Sequence, residues 1–251
     1  MNSDSYSSPV DLGGGNVSSA TTQSNGTTNV QASSVDKSLF DFGEGDIDVA
    51  LNYECELVKF RASSHALCFA SPVWKKFIYP PFPKITDEGN GNSSNTQIDF
   101  TEDNGKALLI LLNIAHLQFN KVPSELPFET LLQVAVLCDQ YDCVSLVGPW
   151  LKQWIIDELR VSRRPGQEAW LFIAWAFGRN KVFETLASNL AAEVYINFEG
   201  QYMTSMGKSL DIMVLPPDIL GKIRSDILYQ IRRYSFFFSS PLFHLCFDFP
   251  L

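Results

Sequence analysis

The stretch that decides the fold is Ala107–Ile155, which reads ALLILLNIAHLQFNKVPSELPFETLLQVAVLCDQYDCVSLVGPWLKQWI. Its first part, Ala107–Leu117, is apolar on nearly every helical face, and this predicts a helix that is buried all round. Two further segments carry apolar side chains at helical spacing. Three helices joined by short polar turns predict a compact bundle that supports a surface. The two later stripes are formed by Leu131, Leu132, Ala135 and Val136 and by Val147, Trp150, Leu151, Trp154 and Ile155.

Composition and charge place the chain among globular proteins. Its 251 residues, 45% of them hydrophobic, are enough to bury the core of one or two domains. The formal net charge of −9 argues against a nucleic-acid partner, because such proteins present a basic face to phosphate. No signal peptide and no apolar run of membrane-spanning length is visible, so we expect no membrane partner. Five cysteines without framework spacing indicate reduced thiols and a cytoplasmic and/or nuclear protein.

The composition changes along the chain and predicts several regions. Residues 1–36 are rich in Ser, Thr, Asn and Gly and lack large apolar side chains, so we expect a disordered tail. A domain over 37–157 follows, and its polar stretch 86–96 is expected to be a mobile insertion loop. Residues 158–234 are expected to form an all-helical extension, and residues 235–251 form a tail rich in phenylalanine.

Strand and helix signals precede the bundle. Asp46–Tyr53 alternates apolar and polar residues, which predicts a half-buried strand, and Cys55–Ala62 predicts a second strand joined to it as a hairpin. Ser63–Phe69 is typical of a helix with a serine N-cap, and Ser71–Pro72 begins another helix because Pro fits the first helical turn. Gln97–Phe100 is expected to be a short third strand. These elements predict an α+β fold in which a short three-stranded sheet accompanies the helical bundle.

Several separated motifs, in this order, resemble the BTB/POZ domain. Asp48–Val49 stands where that family has Asp-Val in its first strand. Phe60 and Leu67 frame the first helix, as they do in the family. Ser71–Trp74 is similar to the family's SPVF turn, with Trp in place of Phe. The resemblance covers residues 44–157, so it implies a BTB/POZ fold for the domain and leaves the extension outside it.

The later part of the chain extends this resemblance. Cys138–Val144 looks like the CDKYDC joint between the last two helices of the family, and with Trp170–Trp175 the sequence is similar to uncharacterised BTB proteins of filamentous fungi. Two positions depart from the family. Ser63 stands where the family usually has His, and Ser64 stands where corepressor-binding members have a basic residue. A charged pocket between that position and Asp48 is therefore not expected.

The resemblance implies a non-enzymatic protein–protein interaction module that captures a protein partner or self-associates as a homodimer. One alternative is a substrate adaptor of a cullin-type ubiquitin ligase, in which the BTB domain docks the cullin scaffold. A second alternative is an enzyme that uses the BTB-like part as a scaffold, which requires convergent titratable groups.

The sequence offers no motif for a metal, a cofactor or a small-molecule substrate. The triplet Gly207–Ser209 lacks the spacing of a phosphate-binding loop, because no glycine stands five residues before Gly207. His65 and Cys68 supply only two of the four ligands that a structural zinc needs. We therefore predict no cofactor and no catalytic or metal-binding residue.

The candidate partner-binding residues lie in three places. The apolar residues before the first strand, Leu39, Phe40 and Phe42, are either core anchors or an exposed apolar edge that binds a partner. Because BTB relatives bind partners on the side of the second helix, we also expect exposed binding residues on that helix and in the loop 121–125. The candidates are Leu39, Phe40, Phe42, Trp74, Lys75, Lys76, Ile78, Lys121 and Glu125.

Overall fold

The computed structural model describes part of the chain, and within that part the fold is α+β, as predicted. The insertion loop, the Phe-rich tail and most of the N-terminal tail lie outside the described residues, so what was expected of them stays a prediction. No helix within that part is both long enough and apolar enough to cross a membrane. The described residues are 35–81, 97–164 and 166–225.

The main sheet contains the three predicted strands in the order β2-β1-β3: β1 (Ile47–Tyr53), β2 (Glu56–Ala62) and β3 (Gln97–Phe100). β1 pairs antiparallel with β2 and parallel with β3. Glu54 and Cys55, which form the turn between β1 and β2, both have positive φ. A two-residue hairpin turn needs this conformation because its twist then matches that of the strands.

Two short helices, α1 (Ser64–Ala70) and α2 (Pro72–Ile78), occupy the connection from β2 to β3. Both begin at serine N-caps, which was predicted for α1, and α2 begins at Pro72 as expected. The Oγ atoms of Ser63 and Ser71 accept hydrogen bonds from backbone N–H groups that have no partner within the helix. Ser71 Oγ also donates to the carbonyl of Tyr141 at 2.5 Å, so the start of α2 is tied to the helical bundle.

The predicted all-round buried helix is α3 (Gly105–Ala115), and every residue in 107–114 is buried. Its first residue lies directly on the sheet. A Cβ atom at Gly105 would stand 2.1 Å from the carbonyl oxygen of Asn52 in β1, a distance that no real Cβ contact reaches. Glycine therefore sets how closely α3 approaches β1.

The bundle is completed by α4 (Phe128–Gln140) and α5 (Val144–Trp154). Trp154, at the end of α5, donates from its indole Nε1 to the carbonyl of Pro123 at 2.9 Å, which holds the loop before α4 against α5. α5 stays helical through Pro149, although a proline supplies no N–H to the ladder at that position.

The extension begins with α6 (Glu158–Val161), α7 (Trp170–Ala176) and α8 (Asn180–Glu193). A further helical segment is described at 219–225, where the last amphipathic helix was predicted. Its apolar residues Ile219 and Ile223 are buried, in agreement with the predicted stripe.

The extension is not all helical, so that prediction is wrong. It also contains a small antiparallel hairpin of β4 (Tyr195–Ile196) and β5 (Tyr202–Met203). Asn197 organises its turn, because its side-chain Oδ1 accepts hydrogen bonds from the backbone N–H groups of Glu199 and Gln201 at 3.0 and 2.8 Å. Strands of two residues leave no alternating pattern in the sequence, and this is why the hairpin was missed.

The main hydrophobic core crosses from the domain into the extension. α7 contributes Trp170, Phe172 and Ile173 to the same apolar cluster that contains the sheet and the bundle. The rings of Phe128 in α4 and Trp170 stack with centroids 6.1 Å apart. A second, smaller cluster joins Leu171 of α7 to α8 and to the helical segment 219–225. α7 therefore has one side in each core.

Candidate functional site

The segment before β1 is a core anchor. The ring of Phe40 packs on Phe60 with centroids 5.3 Å apart, and that of Phe42 packs on Phe60 at 5.4 Å and on His116 at 4.5 Å. Both phenylalanines are buried, so of the two alternatives they are core anchors and do not form an exposed binding edge. Burying two aromatic rings on β2 removes more apolar surface from water than an exposed edge would. Leu39 is half-buried against the same core.

His116, at the end of α3, connects this anchor to α1. Its Nε2 accepts a hydrogen bond from the backbone N–H of Ser63 at 3.0 Å, and its Nδ1 then donates to the carbonyl of Leu112 at 2.8 Å. This arrangement requires the neutral imidazole. Burial lowers the pKa of His116, and the hydrogen bond to Leu112 opposes part of that shift.

The first two helices present a surface that is aromatic and basic. Phe69 is 90% exposed, although Leu67 and Ala70 beside it in α1 are buried. Lys75 and Lys76 are exposed on α2, as predicted. This surface is called the α1–α2 face below. Its residues are Phe69, Lys75, Lys76, Phe77 and Tyr79.

The two apolar candidates on α2 belong to the core. Trp74 has no exposed surface and packs on Phe100 and Tyr141, with centroids 5.8 and 5.5 Å apart, and Ile78 is buried one turn later. The expectation that both are exposed is wrong. A short helix lying on a core buries one stripe, and residues four apart fall on the same stripe.

A carboxylate that sequence reasoning missed holds the N-terminus of α1. Asp46 accepts hydrogen bonds from the backbone N–H and from the hydroxyl of Ser64, each at 2.6 Å. The bond from the hydroxyl, followed by the bond from the backbone, lowers the pKa of Asp46. Ser64 therefore binds the carboxylate of Asp46 through both its backbone N–H and its hydroxyl.

The last two candidates lie apart from the α1–α2 face. Lys121 donates from its Nζ to the carbonyl of Ser38 at 3.3 Å, and Gln118 close by donates from its side chain to the carbonyl of Asp41 at 2.7 Å. Lys121 therefore belongs with the segment before β1. Glu125 is exposed at a groove beside α5. The structure thus divides the predicted binding residues among the core, the segment before β1, the α1–α2 face and this groove.

The groove next to Glu125 has a volume of about 290 Å³ and is called the α5–α7 groove. Its acidic rim is partly neutralised by cations. Glu158 accepts two hydrogen bonds from Arg179, at 3.1 and 2.5 Å, and Asp157 forms an ion pair with Arg160. The apolar floor is formed by Leu126, Phe128, Trp154 and Trp170, and the rim by Glu125, Asp157 and Glu158.

The groups that an enzyme on this scaffold would need lie in different surroundings. His116 is held by Ser63 and Leu112, whereas Cys138 and Cys143 are buried in the bundle. A hydrogen bond between the two thiols, together with burial, raises the pKa of Cys138 far above that of a free thiol. A nucleophilic cysteine needs the opposite shift. Within the described residues, no group of three His, Cys, Asp or Glu side chains is placed to bind a metal.

No protein-family model and no curated protein matches this chain. Function is therefore inferred from the geometry of the described residues. Two features of this geometry, the exposure of Phe69 and the α5–α7 groove, were not predicted from the sequence. Phe69 has a visible signal, since it lies off the apolar stripe of α1, but the α5–α7 groove has none, because its walls come from distant parts of the chain.

Proposed function

We propose that this chain is a non-enzymatic protein–protein interaction module of the BTB/POZ type, and that it self-associates through the α1–α2 face. The order of elements supports the fold part of the proposal. Two strands, two helices, a third strand and three helices follow one another as in the family that the motifs resemble. An interaction module of this kind needs a rigid scaffold and an exposed apolar patch.

The observation that carries the proposal is the exposure of Phe69. A phenylalanine that is 90% exposed on a well-capped helix leaves a large apolar surface in water. Aromatic residues of this kind are enriched at the centres of protein interfaces. The occupant is a second copy of this chain, because pairing by a two-fold axis places the same apolar residue from each copy at one contact.

The first test is the oligomeric state. We expect the full chain to be dimeric in light scattering at tens of micromolar and Phe69→Asp to be monomeric, because the substitution buries a carboxylate in the contact. Phe198→Asp is the matched control, since Phe198 is fully exposed and belongs to the β4–β5 turn rather than to α1. A monomeric wild-type chain, or equal effects of the two substitutions, would refute self-association through this face.

The second test concerns partner binding. Lys75→Glu combined with Lys76→Glu is expected to leave the melting temperature almost unchanged, since exposed charges usually alter stability by less than about 0.5 kcal/mol. The double variant should recover less partner in affinity purification followed by mass spectrometry. If the folded variant retains every partner, including any cullin scaffold, then the α1–α2 face is not the partner surface, and the extension becomes the better candidate.

A further inference from the structure

The main sheet has an open edge at β2. In the order β2-β1-β3, β2 pairs with β1 on one side, and no described strand pairs with it on the other. The two-residue hairpin turn makes Tyr53 and Glu56 a hydrogen-bonded pair, and bonded and non-bonded pairs alternate along the strands from there. The backbone N–H and C=O groups of Leu57, Lys59 and Arg61 therefore point away from β1. These three residues are called the β2 edge.

The side chains of the β2 edge are exposed as well. Leu57 is 58% exposed, and Lys59 and Arg61 are exposed on the same face of the strand. Neither cation forms an ion pair with a described residue, although Asp48 stands opposite Arg61 on the inner strand β1. An exposed row of backbone donors and acceptors is a template for a further strand.

The charge around the β2 edge is opposite to that of the whole chain. Residues 57–86 contain five Lys or Arg and no Asp or Glu, whereas the chain carries a net charge of −9. Antiparallel pairing of two β2 edges in full register would place Lys59 of one copy opposite Lys59 of the other, and like charges directly opposite are destabilising. The β2 edge therefore disfavours a second copy of itself and favours a strand with carboxylates at alternate positions.

We propose that the β2 edge binds an extended acidic segment of a partner protein as a fourth strand of the main sheet. Hydrogen bonds to the outward backbone groups supply affinity, and carboxylates beside Lys59 and Arg61, with an apolar residue beside Leu57, supply specificity. A nucleic acid offers negative charge but lacks the alternating N–H and C=O groups that an open strand edge binds, so a peptide is favoured. This surface differs from the α1–α2 face and goes beyond self-association.

A labelled, end-capped peptide of seven residues, in which glutamate and valine alternate, tests the proposal with the full chain. We expect saturable binding in fluorescence anisotropy. In NMR, the amides of Leu57, Lys59 and Arg61 should exchange about tenfold more slowly with the peptide present. The amides of Val58 and Phe60 already pair with β1 and should change less. The same peptide with alternate backbone amides methylated keeps its charge but cannot donate, and equal binding of it would overturn strand addition.

A charge exchange tests the basic pair. Lys59→Glu with Arg61→Glu should weaken binding of the glutamate peptide about tenfold, as the loss of two exposed ion pairs predicts, and should favour the same peptide with lysine in place of glutamate. The matched control is Lys75→Glu with Lys76→Glu, which changes the charge equally on α2 and should alter binding by less than about twofold.

Three results would overturn the proposal. Equal weakening in both double variants would mean attraction by overall charge, and weakening in the α2 variant alone would place the peptide on the α1–α2 face. Tighter binding of a single-stranded DNA of equal charge would make the edge a nucleic-acid surface. The methylated peptide leaves the chain unaltered, so that test is independent of how the variants fold. The readout is peptide binding, so its failure leaves the dimer through Phe69 untouched.

Discussion

At the scale of single residues, His116 makes the attachment of the N-terminal segment sensitive to pH. Its Nε2 accepts a hydrogen bond from the backbone N–H of Ser63. Protonation of Nε2 would turn this acceptor into a donor that faces the N–H of Ser63, and the hydrogen bond would be lost. Burial lowers the pKa of His116 in the folded state below the ordinary value of 6.5. The unfolded chain therefore binds the proton more readily, and the stabilisation is complete above that ordinary value and is lost as pH falls through the lowered pKa.

We predict that His116→Gln has a weaker dependence of stability on pH, because glutamine can accept the same N–H but does not titrate. Urea unfolding of both proteins at pH 7.5 and at pH 5 measures this dependence of the free energy of unfolding on pH. The wild type should lose more free energy of unfolding between the two conditions than the variant does. Parallel losses in both proteins would show that the pKa of His116 is the same in the folded and the unfolded chain.

At the scale of elements, the start of α3 lies so close to β1 that it leaves no room for a Cβ atom at Gly105. We predict that Gly105→Ala lowers the free energy of unfolding by about 1–3 kcal/mol, since its Cβ would overlap the carbonyl of Asn52 and force α3 away from the sheet. Gly221→Ala is the control, because a Cβ there meets nothing within 4 Å and alanine favours helix by about 1 kcal/mol. Chemical denaturation should give opposite signs for the two variants. The same sign for both would mean that α3 can move at little cost.

The bounds of the helices and strands could be predicted from the sequence more reliably than the exposure of individual side chains. The strands β1 and β3 and the helix α3 appeared within about two residues of their predicted bounds, because hydrophobic period and capping residues are local signals. Trp74 was expected to be exposed, and Phe42 was left open between core and edge, because exposure depends on which distant residues pack against a side chain. The α5–α7 groove could not be predicted for the same reason.

At the scale of the whole molecule, the shared core makes the extension necessary for folding. The sequence changes character near Asp157, but the apolar cluster does not end there. A chain that ends at Asp157 would lose four large buried side chains, each contributing about 1.5–3 kcal/mol. Domains are typically stable by only about 5–15 kcal/mol. The four side chains are Trp170, Phe172, Ile173 and Phe177.

We therefore predict that the chain ending at Asp157 shows no cooperative thermal transition. The cooperativity of unfolding is measured by circular dichroism and differential scanning calorimetry, with the truncated and the full chain under the same conditions. Helical signal without a sharp transition is expected, because secondary structure survives where specific packing is lost. A cooperative transition at the melting temperature of the full chain would show that residues 37–157 fold alone.

The parallel pairing of β1 with β3 also determines the order in which the molecule can assemble. The β1–β2 hairpin closes over a two-residue turn and can form within about 1–10 μs. β3 reaches β1 only after the chain has passed through β2, α1 and α2. Bringing β3 to β1 closes a long loop, and this costs conformational entropy before any hydrogen bond between the two strands is gained. We therefore expect the hairpin to form early in folding and β3 to join the sheet later.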